Sequence, residues 1–142
     1  MRTGLLGLVA GAGIFVATLP VLAHHAFSAE FDATKPINLK GTVTKVEWIN
    51  PHAWVHVEVK QPDGKVETWM IEGGTPNTLF RRGFSKESLK PGTEIVVDGY
   101  QAKDGTMKAN GRDLTLADGK KLFMGSSGTG APSDGRDPGD RR

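Results

Sequence analysis

The chain has 142 residues, 37% of them hydrophobic and 24% charged, which is one soluble domain's worth of sequence and too little for a two-domain enzyme. Eighteen Lys and Arg against sixteen Asp and Glu leave a net charge of +2, too balanced for the clustered basic stripe that marks a nucleic-acid groove. The absence of cysteine excludes disulfides, thiolate metal sites, iron–sulfur clusters and thiol nucleophiles, while nineteen Gly and eight Pro predict a turn-rich all-β domain with an unstructured end.

In chain order, Met1-Arg2-Thr3 carries one positive charge, Leu5 to Leu19 carries none, and Val21-Leu22-Ala23 places small residues where a peptidase cuts. This is the pattern of a secretory signal peptide over residues 1–23, and it predicts a periplasmic or secreted protein that is free of the membrane after cleavage. An uncleaved anchor is the alternative, since roughly twenty apolar residues can span a bilayer, but Pro20 and the glycines of the run interrupt its helix. Cleavage after Ala23 would leave a His-containing segment, 24–35, opening on His24-His25-Ala26-Phe27 with a free α-amine beside two imidazoles.

The first predicted strand is Ile37 to Trp48, whose apolar phase slips by one residue between Val43 and Val46, as a β-bulge near Lys45 would produce. After the Asn50-Pro51 turn, Ala53 to Val59 alternates, with Ala53, Val55, Val57 and Val59 on an inner face and Trp54, His56 and Glu58 on the other. Pro62-Asp63-Gly64 turns into a strand over Val66 to Glu72, whose facing stays open because both phases hold apolar residues. A short helix follows, with Thr75 as cap, Pro76 in its first turn, an apolar face of Leu79 and Phe80, and Gly83 as its stop. Thr93 to Ala102, with Ile95 and Val97 on one face, and Met107 to Leu116 are the fourth and fifth strands, and Leu122-Phe123 is a short sixth candidate.

The order β-β-β-α-β-β with a bent first strand predicts an all-β fold over residues 36–124. It is a small five-stranded OB-like Greek-key barrel with one short helix between strands three and four. An open meander or a sandwich is the rival, although a sandwich needs about seven strands. Residues 125–142, rich in Gly, Ser, Pro, Asp and Arg, hold too little apolar surface to order themselves and are expected to form a disordered tail.

Taken together, His24-His25-Ala26-Phe27 with Phe31-Asp32, Gly41-Thr-Val, Trp48-Ile-Asn-Pro-His52, Glu72-Gly-Gly-Thr-Pro-Asn77 and Leu89-Lys-Pro-Gly92 are specific. They resemble a family of small exported bacterial proteins classed only as a domain of unknown function, over about His24 to Pro132. The resemblance implies a periplasmic OB-like barrel and names no reaction. Ala26 departs from the serine common at that position in the family, so a role for a hydroxyl there is absent.

All four histidines fall in two places, His24 with His25 and His52 with His56. Imidazole with a free α-amine suits Cu(II) and also Zn(II), which makes these four the candidate metal ligands, with Glu47 or Glu58 as weaker carboxylate candidates. The bland alternative is a frayed end and a pair of hydrogen-bonding rim residues. His52 and His56 lie about 13 Å apart along an extended strand, so the preferred set is the α-amine and ring of His24 with one of those two, His25 being an optional addition. Trp54 and Trp69 are the candidate ligand or partner face, a stacking platform for a saccharide, another small ligand or a periplasmic protein, if they do not simply fill the core. Enzyme readings have less support, because there is no Gly-x-Ser-x-Gly, no phosphate loop at Gly73-Gly74 and the carboxylates are scattered; a hydrolase or oxidoreductase stays open only through a histidine–copper centre that could activate oxygen.

Intact-mass measurement of the exported protein tests the processing site. The expected mature chain starts at His24, and a start elsewhere would remove the amine from the candidate ligand set.

Overall fold

The structure, a computed structural model, describes residues 27–125. His24, His25, the expected leader and most of the expected tail lie outside the described residues. The chain is mostly β, in the order β1 (Phe31–Glu47), β2 (Trp54–Lys60), β3 (Val66–Glu72), α1 (Pro76–Arg81), β4 (Glu94–Ala102), β5 (Lys108–Leu116) and β6 (Lys121–Phe123). One sheet of order β3-β2-β1-β4-β5-β6 contains all six strands, one more than the five expected, because the Leu122-Phe123 segment does pair with β5.

β1 is long because it serves two neighbours. Its first part pairs with β4, Pro36 through Thr42 running antiparallel to Tyr100 through Glu94, and its last part pairs with β2. At the handover Thr42 faces Glu58 on one side and Glu94 on the other. Gly41 sits there because a Cβ would come within 2.4 Å of the Glu58 carbonyl oxygen, so any side chain would push β1 and β2 apart. The expected bulge is present: Val43 faces Val57 but Lys45 faces His56, leaving Thr44 as the extra residue. β1 also begins at Phe31, six residues before the predicted start, because Phe31 joins β4 at Ala102 across an irregularity that absorbs Pro36.

The aliphatic phase of β2 points inward as expected, with Ala53, Val55, Val57 and Val59 buried. In β3 the open question of facing resolves in favour of Trp69 and Ile71, which are buried, leaving Thr68, Met70 and Glu72 on the outer phase. β3 and β5 add a parallel pairing, Met70, Ile71 and Glu72 against Lys108, Ala109 and Asn110. The hydrogen-bonded path β1-β2-β3-β5-β4 therefore returns to β1.

α1 has the predicted punctuation. Thr75 Oγ1 accepts from the Thr78 N–H at 3.3 Å, Pro76 lies in the first turn, and Gly83 stops the helix at φ 98°. A six-residue helix does not stand alone in water, so its stability comes from Leu79, which is 1% exposed in the main core. Phe80 corrects the expectation of one apolar face shared with Leu79. It is 39% exposed and stacks on Trp48 with ring centroids 4.8 Å apart. Adjacent helical residues point about 100° apart, so Leu79 and Phe80 cannot share one narrow apolar stripe.

A second, smaller cluster lies apart from the main core, formed by Phe27, Phe31, Tyr100 and Ala102. Residues 27–30 are helical and lie over the outer face of β4, where Phe27 meets Tyr100 edge-on at 5.8 Å. Lys103 holds this segment through its backbone N–H to the Glu30 carbonyl and its ammonium to the Ser28 carbonyl. Among the described residues no helix is long and apolar enough to cross a membrane.

Urea denaturation separates the two helical side chains. Leu79→Ala should cost about 3 kcal/mol through loss of burial and the cavity left behind. Phe80→Ala should cost about 1 kcal/mol, the value of a half-exposed stacked ring.

Candidate functional site

Side chains of directly paired strand residues share a face of the sheet. One row on the outer face runs Glu47, Trp54, Glu72, Asn110, Tyr100, each facing the next across β1, β2, β3, β5 and β4. A second row beside it runs Lys45, His56, Met70, Lys108. Cover increases along the first row. Glu47 at one end is partly exposed, while Asn110 and Tyr100 at the other are buried, Tyr100 in a cluster with Phe27 and Phe31.

Glu72 is the centre of this face. Its side chain is 12% exposed, and Oε1 accepts from the Asn110 amide at 3.3 Å and lies 3.7 Å from His52 Nδ1. Burial pushes the Glu72 carboxyl above the usual range, and the nearby Glu30 carboxylate adds to the rise, against the opposing pull of His52, the Asn110 hydrogen bond and Lys108. The Lys108 ammonium lies 5.5 Å from the Trp54 ring centroid, which places a cation against the indole.

His52 stands on the loop between β1 and β2, just after the cis Asn50-Pro51 bond. The loop is tied to the end of β3 by Gly73 N–H to the Ala53 carbonyl at 2.8 Å and Ala53 N–H to the Gly74 carbonyl at 3.0 Å. His52 Nδ1 lies 3.0 Å from the Gly73 carbonyl oxygen. A carbonyl only accepts, so Nδ1 carries the hydrogen and the neutral ring presents Nε2 as a free lone pair.

His56 is occupied differently. Its Nε2 donates to Glu47 Oε2 at 2.8 Å, and Glu47 Oε1 accepts from Lys45 at 2.7 Å. The hydrogen bonds from Lys45 and then His56 hold the Glu47 carboxyl below its ordinary value. The two described histidines thus stand in separate partnerships, His52 with Glu72 and His56 with Glu47. Among the described residues no group of three or more His, Asp and Glu is arranged to hold a metal ion. Glu58, the weaker carboxylate candidate, is exposed farther along β2.

The two tryptophans separate as well. Trp54 stays on the outer face, partly exposed. Trp69 is buried in the main core, the core-filling alternative weighed for it, and its indole N–H donates to Glu67 at 3.0 Å. Glu72, Asn110 and Lys108 are site residues that sequence reasoning missed. Local periodicity carried no signal for them, because they meet only through the parallel pairing of β3 with β5.

The raised carboxyl has a measurable consequence. A group whose folded pKa lies above its unfolded value adds stability below the unfolded pKa and loses it as pH rises through the folded one. Ionised Glu72 is therefore a cost at neutral pH. Glu72→Gln, which keeps the acceptor for Asn110, should raise the melting temperature at pH 7, and the gain should shrink toward pH 4; melts of both proteins across that range check it.

No curated protein and no solved structure matches this chain. A family model described as a family of unknown function does match, over residues 13–111. The matched span takes in His24, His25, the β1–β2 loop, β2, β3 and the Lys108–Asn110 stretch of β5, and it exceeds half of the 142 residues. The chain therefore belongs to the family of unknown function DUF6152.

Proposed function

We propose that this chain is a small exported binding module built on an OB-like Greek-key barrel, with its ligand face on the outer surface of β2, β3 and the start of β5. The barrel reading is supported by the cyclic pairing β1-β2-β3-β5-β4 and by the helix between β3 and β4. OB-folds take ligands on the β2–β3 face and on the loops that join β1 to β2 and β4 to β5. In this chain those elements carry the groups already described: His52 on the first loop, Trp54 on β2, Glu72 on β3, and Lys108 immediately after the second loop. Export rests on the uncharged Leu5 to Leu19 run and the Ala23 site.

The observation that carries the reading is the Trp54–Glu72–Asn110 row with Lys108 and His52 beside it. An aromatic face, a carboxylate, an amide, an ammonium and an imidazole converge there, and one of them, Glu72, is kept at a cost in stability. Binding sites retain such groups where stability alone would replace them.

Amide chemical-shift mapping tests this with two probes, Zn(II) and a neutral oligosaccharide. Shifts confined to residues 52–56, 70–74 and 108–110 are expected for at least one of them. A response centred on the shallow groove lined by Lys40, Glu94 and Leu116, or none to either probe, would overturn the assignment of the face.

A further inference from the structure

We infer that the ligand of this face is a neutral saccharide, one sugar ring of which lies against Trp54 while its hydroxyls donate to Glu72 Oε2 and His52 Nε2. This rests on the binding-face reading above and adds the chemistry of the ligand to it. The face displays acceptors for which the described residues provide no donor. Glu72 Oε1 takes the Asn110 amide hydrogen, and no described residue donates to Oε2. His52 directs its Nδ1 hydrogen at the Gly73 carbonyl, which leaves Nε2 as a second acceptor. Among the described residues no buried side-chain oxygen or nitrogen lacks a hydrogen-bond partner, so both of these atoms open onto the surface.

The charges of the face decide which kind of donor fits. Glu72 with Glu30 nearby, and Glu47 opposite Trp54, repel an anion, and Lys45 is already paired with Glu47 at 2.7 Å. The place that a cationic ligand would take over the indole is occupied by the chain's own Lys108 ammonium, 5.5 Å from the ring centroid. A neutral molecule rich in hydroxyls meets neither obstacle. Its O–H groups supply the missing donors, its oxygens accept from Lys108, and the C–H face of a sugar ring covers the part of the indole that remains exposed. Trp54 and Glu72 are directly paired, one strand spacing or about 5 Å apart, and His52 Nδ1 lies 3.7 Å from Glu72 Oε1. Indole, carboxylate and imidazole therefore meet within the footprint of one or two sugar rings.

The test is amide chemical-shift titration of the full exported chain with cellotetraose, with the β-1,4-linked tetramer of glucuronate as its anionic counterpart, and with Zn(II). Cellotetraose should give saturable shifts at residues 52–56, 70–74 and 108–110, and the glucuronate tetramer should bind at least about tenfold more weakly. Glu72→Gln keeps the acceptor for Asn110 but turns the open acceptor into a donor. It should weaken cellotetraose binding at least about tenfold while raising the melting temperature at pH 7, a divergence that a purely structural role would not produce. His52→Asn, which keeps an N–H for the Gly73 carbonyl while deleting Nε2, should weaken binding about fivefold. Trp54→Ala should abolish the response and Trp54→Phe should retain much of it, which separates loss of stacking from loss of fold. Affinity unchanged by Glu72→Gln or by Trp54→Ala, or a glucuronate tetramer bound as tightly as cellotetraose, overturns the inference. Silence toward cellotetraose with a response of the same residues to Zn(II) or to the glucuronate tetramer overturns the neutral saccharide and keeps the binding face. No response to any of the three probes, or one centred on the groove of Lys40, Glu94 and Leu116, overturns both.

Discussion

Three residue pairs of parallel sheet, Met70 to Glu72 against Lys108 to Asn110, are the constraint on which the rest depends. They close the pairing path from β1 through β2, β3, β5 and β4, and they bring together residues 38 positions apart, Glu72 and Asn110. On the inner side the same pairing buries Ile71 against Ala109, and on the outer side it buries much of Glu72. Core and candidate site are the two faces of one junction, so a change that loosens the junction reaches both.

The junction has a polar cost that the main core offsets. Asn110 is the buried polar residue of the described chain, and its amide is satisfied by the Glu72 carboxylate. That bond favours the ionised acid while burial opposes it, and the net direction is upward. An apolar pair at these two positions would suit the sheet at least as well, since a buried charge is rarely the most stable occupant of its site. Stability is supplied instead by Val55, Val57, Ile71 and Leu114, buried on the inner side.

Much of this fold was legible in the sequence because its signals were local. The bulge was visible as a slipped period between Val43 and Val46, the facing of β2 as four alternating aliphatics, and the helix ends as Thr75, Pro76 and Gly83. The misses were of another kind. Leu79 and Phe80 diverge in direction, so the single apolar face expected of them splits, and residue type alone leaves Trp69 open between platform and core, which only its place on β3 decides. Of the candidate site, His52, His56, Trp54 and Glu47 were recognisable from chemistry. Glu72, Asn110 and Lys108 were not, because their meeting depends on a non-local parallel pairing with no periodic trace in either strand.

The bulge also decides what His56 can do. With a regular ladder continuing from the Val43–Val57 pair, Thr44 would face His56, Lys45 would face Val55 on the inner side, and Val46 would face Trp54 on the outer side. The extra residue reverses this: Val46 turns inward against Val55, and Lys45 and Glu47 turn outward against His56 and Trp54. Glu47 thereby reaches Nε2 of His56 at 2.8 Å and Lys45 reaches Glu47 at 2.7 Å. A single inserted residue thus seals one imidazole into an ion-paired group on the sheet. Four positions earlier, the loop leaves the other imidazole with a fixed tautomer and a free nitrogen, and the chemical difference between the two histidines is a difference of backbone register rather than of residue type.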